Sequence, residues 1–261
     1  MDMRIENRVA LVMGAGGGLG SAISVSLAAE GVSVAGGDLN AQALHRTADT
    51  VEGQGGRFFP VTADLSDPAS LDTAVERVAA EMGPVEILIN NTGGPPPSSA
   101  AGVSTETWLH QFEAMVASVF YLTDLVLPGM RERGWGRVIT SASSGVVAPI
   151  PNLGVSNALR SALVGWSKTL SNEVGRDGVT SNVVIPGRIA TDRIVNLDQA
   201  RAKREGRSVE TVAAESAATI PVGRYGRPQE YGDVVAFLAG ERSSFINGSV
   251  IRIDGGMIPS V

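Results

Sequence analysis

A glycine-rich loop between Gly14 and Gly20 is the part of the sequence best suited to bind a phosphate group. Its glycines fit the pattern G-x-x-x-G-x-G at Gly14, Gly18 and Gly20, whereas the third glycine of the more common G-x-G-x-x-G pattern would fall on Leu19. Residues without a Cβ let the backbone approach a pyrophosphate at the N-terminus of a helix. A plain tight turn is the alternative, but the loop follows the first predicted strand, which favours nucleotide binding.

Two aspartates at the ends of predicted strands could contact the rest of such a nucleotide. Asp38 lies 18 residues after Gly20, at the end of the second predicted strand. A carboxylate there accepts hydrogen bonds from ribose hydroxyls and repels a 2′-phosphate, so it predicts NAD(H) in preference to NADP(H). A helix cap shared with Asn40 is the alternative. Asp64 ends the third predicted strand and could lie near the adenine, although a turn aspartate fits its position nearly as well.

The elements that must position these residues alternate regularly along the chain. Strands are predicted at residues 9–13, 32–37, 58–63, 86–89, 137–140, 179–185 and 249–253. Helices are predicted from the glycine loop to residue 29, after Asn40, and at residues 68–82, 105–131, 156–174, 208–218 and 228–240. Strands that alternate with helices form a parallel sheet with right-handed crossovers. The sequence therefore predicts an α/β fold with one Rossmann-type, doubly wound parallel sheet of about seven strands, as a single domain over residues 1–261.

The composition excludes several other kinds of chemistry. The chain has 261 residues with no cysteine, two histidines and three tyrosines, so thiol catalysis, disulfide scaffolds and Cys-type zinc sites are excluded, and no metal site is predicted. Its formal net charge of −6 argues against nucleic acid and anionic membranes as partners. No segment is expected to reach the ~18 apolar residues of a membrane span, and the N-terminus lacks a signal-peptide core. We therefore expect a cytoplasmic protein.

Four further motifs are spread over the rest of the chain. They are Asn90-Asn91-Thr92-Gly93, Pro186-Gly187 with Thr191, the run from Gly223 to Glu230, and Asp254-Gly255-Gly256. Together with the glycine loop, they resemble the short-chain dehydrogenase/reductase family, and within it the β-ketoacyl-carrier-protein reductases. The likeness covers almost the whole chain. It implies a Rossmann-type fold, a nicotinamide cofactor and a tetramer.

The same resemblance implies an active site whose catalytic residues have changed. The family uses an Asn, a Ser and a Tyr-x-x-x-Lys pair, in which Tyr protonates the carbonyl and Lys lowers its pKa and holds the nicotinamide ribose. Ser143 matches the serine, but Ser156, Arg160 and Met115 stand at the tyrosine, lysine and asparagine positions. A serine hydroxyl is a far weaker acid than a phenol, and Arg stays protonated, although it can hold a ribose or a carboxylate. No other tyrosine is expected to replace the missing one, and His110 is interpreted as a surface residue.

The resemblance thus gives a set of expected site residues. The chain is similar to a divergent subgroup in which Asn-Thr-Gly-Gly-Pro-Pro-Pro and a Ser-x-x-x-Arg replacement occur together. The expected catalytic residues are Ser143, Ser156 and Arg160. The expected cofactor-binding residues are Gly14, Gly17, Gly18, Leu19, Gly20, Asp38, Asp64, Leu65, Asn91, Gly93, Arg160, Pro186, Gly187 and Thr191.

A substrate lid is expected at about residues 188–220, where the family places it. Residues 188–207 carry six Lys or Arg side chains against three Asp or Glu side chains. This local positive charge would suit an anionic substrate, either a carboxylate or a carrier phosphate. A solvated helix is the alternative explanation of the charge pattern.

Three functions remain open at this point. The first is an NAD(P)-dependent oxidoreductase that interconverts a carbonyl and an alcohol, in which Ser143 polarises the substrate oxygen, Ser156 relays a proton from water and Arg160 stabilises negative charge. The second is a nucleotide-binding pseudoenzyme that acts as a sensor or assembly subunit, and the third is a lyase or isomerase on the same fold. The expected partners are a small-molecule substrate and further copies of the chain, as a homotetramer or homodimer paired through the long helices.

Overall fold

The computed structural model describes residues 2–261 and places seven parallel strands in one sheet. The strands are β1 (Val9–Met13), β2 (Ser33–Asp38), β3 (Arg57–Thr62), β4 (Ile87–Asn90), β5 (Gly136–Ser141), β6 (Val179–Pro186) and β7 (Val250–Ile253). Their order across the sheet is β3-β2-β1-β4-β5-β6-β7, so the winding reverses between β1 and β4. The predicted doubly wound α/β fold is confirmed, and its reversal point is where such sheets bind ligands.

Helices cover both faces of this sheet. They are α1 (Gly18–Ala29), α2 (Ala41–Glu52), α3 (Pro68–Met82), α4 (Thr105–Phe112), α5 (Ser118–Glu132), α6 (Gly154–Val174), α7 (Asp192–Glu205), α8 (Val209–Ala218) and α9 (Pro228–Ala239). Alternate residues of β1 pack on opposite faces, Val12 against the layer of α1, α2 and α9, and Leu11 against the layer of α3, α5 and α6. Because the strands are buried on both faces, they read as continuous apolar runs in the sequence.

Most element boundaries agree with the sequence prediction to within two residues, because local polar caps define them. Asn40 accepts a hydrogen bond from the Ala43 N–H (3.0 Å) and Asp67 accepts one from the Ala69 N–H (3.1 Å), so both begin helices as predicted. Helix α7 is different: the strand-and-helix pattern does not predict it, because its side chains are mostly charged or polar. The solvated helix given as the alternative for residues 188–207 is present over Asp192–Glu205.

One helical stretch is longer and more apolar than expected. Helices α4 and α5 join through a π-helical turn, Glu113–Ala117, into one helical stretch, Thr105–Glu132, that is long and apolar enough to cross a membrane by length and composition. Helices that pack one face on a protein core pass the same test. Here Val119 and Leu122 are buried against the rest of the chain. The π-helical turn contains Met115, and such turns are frequently found at functional sites.

Candidate active site

The loop between β1 and α1 forms a cradle of bare backbone. Gly14 has a φ of +63°, which favours glycine, and a Cβ on Gly20 would collide with the carbonyl oxygen of Gly14. Gly17 is the N-cap residue of α1 and has no side chain that could occupy the first N–H groups of the helix. Gly17 and Gly18 are exposed. The first N–H groups of α1 are therefore available to an anion, which fits a dinucleotide pyrophosphate. Leu19 packs inward against the core.

Asp38 lies directly beside this cradle at the end of β2. Its Oδ2 accepts a hydrogen bond from the Gly16 N–H (3.1 Å), and its Oδ1 accepts one from the Asn40 N–H (2.9 Å). The carboxylate therefore braces the glycine loop and the start of α2 together, while Asn40 itself caps the helix. The residues that follow Asp38 are Leu39, Asn40 and Ala41, so no cation follows it immediately to pair with a 2′-phosphate.

Asp64 and Leu65 lie beyond the end of β3, which runs beside β2. The Ala63 N–H donates to the Asp38 carbonyl oxygen (3.1 Å), so the two strand ends are adjacent. The Asp64 carboxylate accepts hydrogen bonds from the Ser66 hydroxyl (2.7 Å) and the Ser66 N–H (2.8 Å), and these bonds lower the pKa of Asp64. This is the geometry of a turn aspartate. Leu65 is half-buried against the core under α3.

The motif residues after β4 and β6 converge on the glycine loop. Asn91 donates from Nδ2 to the Met13 carbonyl oxygen (3.2 Å) and lies against Gly14. After Pro186 ends β6, the chain passes Gly187 and reaches Thr191, whose Cγ2 would lie 2.7 Å from a Cβ on Gly18. The structure thus brings the motifs at 14–20, 90–93 and 186–191 to one edge of the sheet, as the resemblance implied.

Arg160 is a buried cation at the same edge. Its Nη1 donates to the Ser141 carbonyl oxygen (3.1 Å), and its Nη2 donates to those of Thr92 (3.0 Å) and Gly93 (2.9 Å). The side chain is 7% exposed, and burial lowers the pKa of Arg160 to about 10, so the guanidinium keeps its charge at neutral pH. Arg160 therefore ties α6 to the ends of β4 and β5.

The two serines flank this arginine on different elements. Ser143 is half-buried after β5, and its Oγ accepts a hydrogen bond from the Gly145 N–H (3.1 Å). Ser156 lies on α6, four residues before Arg160, and is 5% exposed. Asn157 holds the loop after Ser143 against α6, since its Nδ2 donates to the Ile150 carbonyl oxygen (2.9 Å). In residues 2–261 the two serine hydroxyls share no hydrogen bond.

Met115 fills space beside these residues. It is 2% exposed and packs with Val155, Leu159 and Leu163. A thioether in an apolar cluster offers no strong hydrogen bond to water, unlike the asparagine that the family has at this position. Met115 is therefore a packing residue.

Tyr231 is the neighbour that sequence reasoning missed. It lies on α9, is fully buried, and its hydroxyl shares a hydrogen bond with the Ser141 Oγ (2.8 Å), while the Ser141 carbonyl oxygen accepts from Arg160. Tyr231 is therefore linked through Ser141 to Arg160, although it lies 90 residues from Ser141 along the chain. Burial raises the pKa of Tyr231, so its hydroxyl stays protonated. Tyr121 and Tyr225 are bound elsewhere, to Asp72 and Asp198.

The predicted lid region consists of α7 and α8 and is held by ion pairs. Asp198, 2% exposed, accepts hydrogen bonds from the Arg188 Nη1 (2.8 Å) and the Tyr225 hydroxyl (2.7 Å). The arginines at 201, 204 and 207 pair with Glu205 or Glu215. Four of the six cations counted in residues 188–207 thus lie in ion pairs with Asp198, Glu205 or Glu215.

Comparisons with known proteins agree with this geometry. Residues 14–258 match the family model described as enoyl-(acyl carrier protein) reductase. The chain is 36% identical over 259 residues to the 3-oxoacyl-(acyl-carrier-protein) reductase FabG of Escherichia coli (strain K12), covering 98% of this chain and 99% of that protein. L-sorbose reductase from Gluconobacter frateurii, solved with NADPH and L-sorbose, superposes with a TM-score of 0.94 at 31% identity over 100% of both chains. YwfH, an NADPH-dependent reductase involved in bacilysin biosynthesis, superposes with a TM-score of 0.92 at 26% identity, over 97% of this chain and 99% of that one.

The fold, the cradle and these relatives define the class of the protein. The chain belongs to the short-chain dehydrogenase/reductase family and is an oxidoreductase of that family. A nicotinamide cofactor is supported by the solved relatives. Their use of NADPH stands against the predicted preference for NAD(H).

Proposed function

We propose that the protein is an NAD(P)-dependent oxidoreductase that interconverts a small-molecule carbonyl and an alcohol with an atypical catalytic group. The observation that carries this proposal is the uncapped start of α1 at Gly17 and Gly18, which lies against Thr191 and beside the end of β4. A dinucleotide held there would extend from Asp38 towards Arg160. The bound nicotinamide supplies the hydride.

Three side chains share the remaining chemistry in this proposal. Ser143 donates a hydrogen bond to the substrate oxygen and polarises the carbonyl. Arg160 is cationic and buried, so it stabilises negative charge that develops on that oxygen. Ser156 passes a proton inward from water. The chain then belongs to a subgroup in which the Ser-x-x-x-Arg pair at 156 and 160 replaces the family's Tyr-x-x-x-Lys.

We also propose NAD(H) as the preferred cofactor, in spite of the NADPH of the solved relatives. The support is the Asp38 carboxylate at the end of β2, followed by Leu39 and Asn40 rather than by a cation. A 2′-phosphate placed there would meet a negative charge with no counter-ion from these neighbours.

The domain extent, the localisation and the oligomeric state belong to the same proposal. We place residues 1–261 in one cytoplasmic domain, with the lid at about 188–220, and in a homotetramer or homodimer. Exposed apolar side chains support self-association: Leu109 and Phe112 on α4, and Phe245 and Val250 near the free edge of β7. Sedimentation at four or two times the 27.0 kDa chain mass is the expected result, and a monomer would refute it.

The test of the function is steady-state turnover of a ketone and alcohol panel with NADH, NADPH and their oxidised forms. We expect reduction of at least one ketone, and a loss of kcat of about a hundredfold in Ser143→Ala. Ser161→Ala is the matched control, because Ser161 lies exposed on α6 and its hydroxyl binds only the Asn157 carbonyl oxygen.

Two other results would replace this proposal. Cofactor binding without turnover of any panel member would favour the pseudoenzyme, to which the weakly acidic Ser156 and the apolar Met115 already point. Product formed without a net change in NADH would favour a lyase or isomerase.

A further inference from the structure

Two arginines from different elements meet above one short loop. Arg193 comes from the first turn of α7, and its Nη2 donates to the Pro95 carbonyl oxygen (3.0 Å). Arg160 comes from α6 and binds the same loop at Thr92 and Gly93. A Cβ on Gly94 would lie 3.1 Å from the Arg193 Nη2 and 3.8 Å from the Arg160 Nη2. The two guanidinium groups therefore converge on a single point.

Neither guanidinium has a negative partner among residues 2–261. In the described residues, the other arginines of the lid segment lie within ion-pair distance of Asp198, Glu205 or Glu215, but Arg160 and Arg193 lie within that distance of no carboxylate. An unpaired buried cation is costly, and a second cation nearby adds repulsion. Burial and the charge of Arg193 both lower the pKa of Arg160. Such a pair is stabilised when an anion joins it.

Donors and space remain for that anion. A guanidinium has five N–H donors. In Arg160 both N–H groups of Nη2 and one of Nη1 bind carbonyl oxygens, which leaves one N–H of Nη1 and that of Nε. Arg193 donates one hydrogen bond, to the Pro95 carbonyl oxygen, and keeps its other N–H groups. Gly93 and Gly94 are exposed, and a Cβ on Gly93 would meet no atom within 4 Å. The loop thus borders open space rather than packed protein. An oxyanion there can accept hydrogen bonds from Arg193, since guanidinium groups bind carboxylates in a bidentate manner, and the charge of the nearby Arg160 guanidinium attracts it as well.

We propose that Arg160 and Arg193 together bind a carboxylate of the substrate, which is therefore a 2-oxo or 3-oxo acid or the matching hydroxy acid. This inference rests on the proposed function, since it places the carboxylate beside the reacting carbonyl. It differs from the charge pattern of the lid, because the other lid arginines are neutralised by their own carboxylates. A phosphate of the cofactor is the second source of the same oxyanion chemistry, and the experiment separates the two.

The experiment measures binding apart from turnover. Calorimetry on the protein saturated with oxidised cofactor gives dissociation constants for pyruvate and acetoacetate, for 2-oxo and 3-oxo acids of up to eight carbons, and for the amide of each. Oxidised cofactor reduces none of them, so the result does not depend on catalysis. We expect at least one acid to bind about tenfold or more tightly than its amide.

Arg193→Gln is the test variant, because Arg193 is largely exposed on α7 and its loss leaves the core intact. This variant should raise the dissociation constant of that acid by at least about tenfold and that of its amide by less than about twofold. Lys203→Gln removes the same charge from the same helix, away from Gly94, and should change neither. Equal binding of every acid and amide, or equal weakening of both by Arg193→Gln, would overturn the proposal.

Titration of NADH and NADPH into the same variants tests the second source. If Arg193→Gln weakens binding of the cofactor instead of binding of the acid, the arginine pair binds a cofactor phosphate and the proposal is wrong. Acid binding that depends on Arg193, with no turnover by NADH or NADPH, would retain the carboxylate site while rejecting the proposed oxidoreductase function.

Discussion

At the scale of single residues, the proposed mechanism differs from that of the family in the groups that handle the proton. Arg160 stays charged, because its pKa of about 10 lies well above neutrality, so it stabilises charge but does not donate the proton. Serine hydroxyls do not titrate in the accessible range. Water that reaches Ser156 is therefore the proton source in the proposed mechanism.

The first prediction at this scale concerns Asp38. Asp38→Ser removes the charge that opposes a 2′-phosphate, so kcat/KM with NADPH relative to NADH should rise by at least about tenfold. The ratio isolates this effect from the loss of the hydrogen bonds to Gly16 and Asn40, which both cofactors share. Asp49→Ser is the control, since Asp49 is exposed on α2 and carries the same charge. An unchanged ratio would remove Asp38 from the discrimination.

The second prediction concerns pH. Burial raises the pKa of Tyr231, and burial together with the hydrogen bond to Asp198 raises that of Tyr225, so both phenols keep their protons as pH rises past neutrality. We expect kcat/KM for reduction to vary less than about twofold between roughly pH 6 and pH 9. In the double variant Ser156→Tyr with Arg160→Lys, kcat/KM for ketone reduction should increase, and its pH profile should fall as the new tyrosine loses its proton. If the pH profile of the unchanged protein already falls in this range, a titrating acid takes part in the reaction and the proposed mechanism is contradicted.

At the scale of elements, the site depends on how closely strand ends and helix starts approach each other. Gly14 and Gly20 touch through their backbones, and Thr191 lies on Gly18. Asp198 joins α7 to the loop before α9 through Arg188 and Tyr225. The glycine cradle is therefore closely packed, and hydrogen bonds hold the predicted lid to the loop before α9.

Two separate glycine-to-alanine variants, one in the cradle and one outside it, test the close packing of the cradle. A Cβ on Gly20 would collide with the Gly14 carbonyl oxygen and lie 2.9 Å from the Ala15 Cα, both of them backbone atoms that resist displacement. Gly20→Ala should lower the free energy of unfolding by about 2 kcal/mol and weaken cofactor binding. Gly165→Ala, exposed on α6 with no atom within 4 Å of its Cβ, should raise that free energy by about 0.5 to 1 kcal/mol. Urea denaturation and cofactor titration measure both; a Gly20→Ala variant that binds cofactor normally would contradict the close approach.

The parts of the fold and site that could be predicted from the sequence are those with local signals. A few neighbouring residues are enough to recognise the glycine loop, the aspartate after β2 and the helix caps at Asn40 and Asp67. Tyr231 and Arg193 could not be found in this way, because their partners Ser141 and Pro95 lie 90 and 98 residues away. Sheet order brings them together, and a single sequence carries no direct sign of it.

At the scale of the whole molecule, the sheet order places the reversal between β1 and β4 under the glycine loop and the Gly93–Gly94 segment. Every motif that resembled the family lies at or near this edge, including those at 186–191 and 254–256. The proposed cofactor site therefore lies at this edge, and in the proposed mechanism Ser156 stands where the family has its tyrosine acid. Whether hydride moves within this frame separates the oxidoreductase from the pseudoenzyme and from the lyase or isomerase.

The most direct test follows the hydride itself. The carbonyl compound that the cofactor complex binds most tightly is incubated with NADH deuterated at C4 of the nicotinamide, on each face in turn, and the alcohol is examined by mass spectrometry. Transfer of hydride predicts one deuterium in the product from one face and none from the other, with the yield lowered about a hundredfold in Ser143→Ala. An unlabelled product from both faces, or intact labelled cofactor with no product, would contradict the proposed reaction.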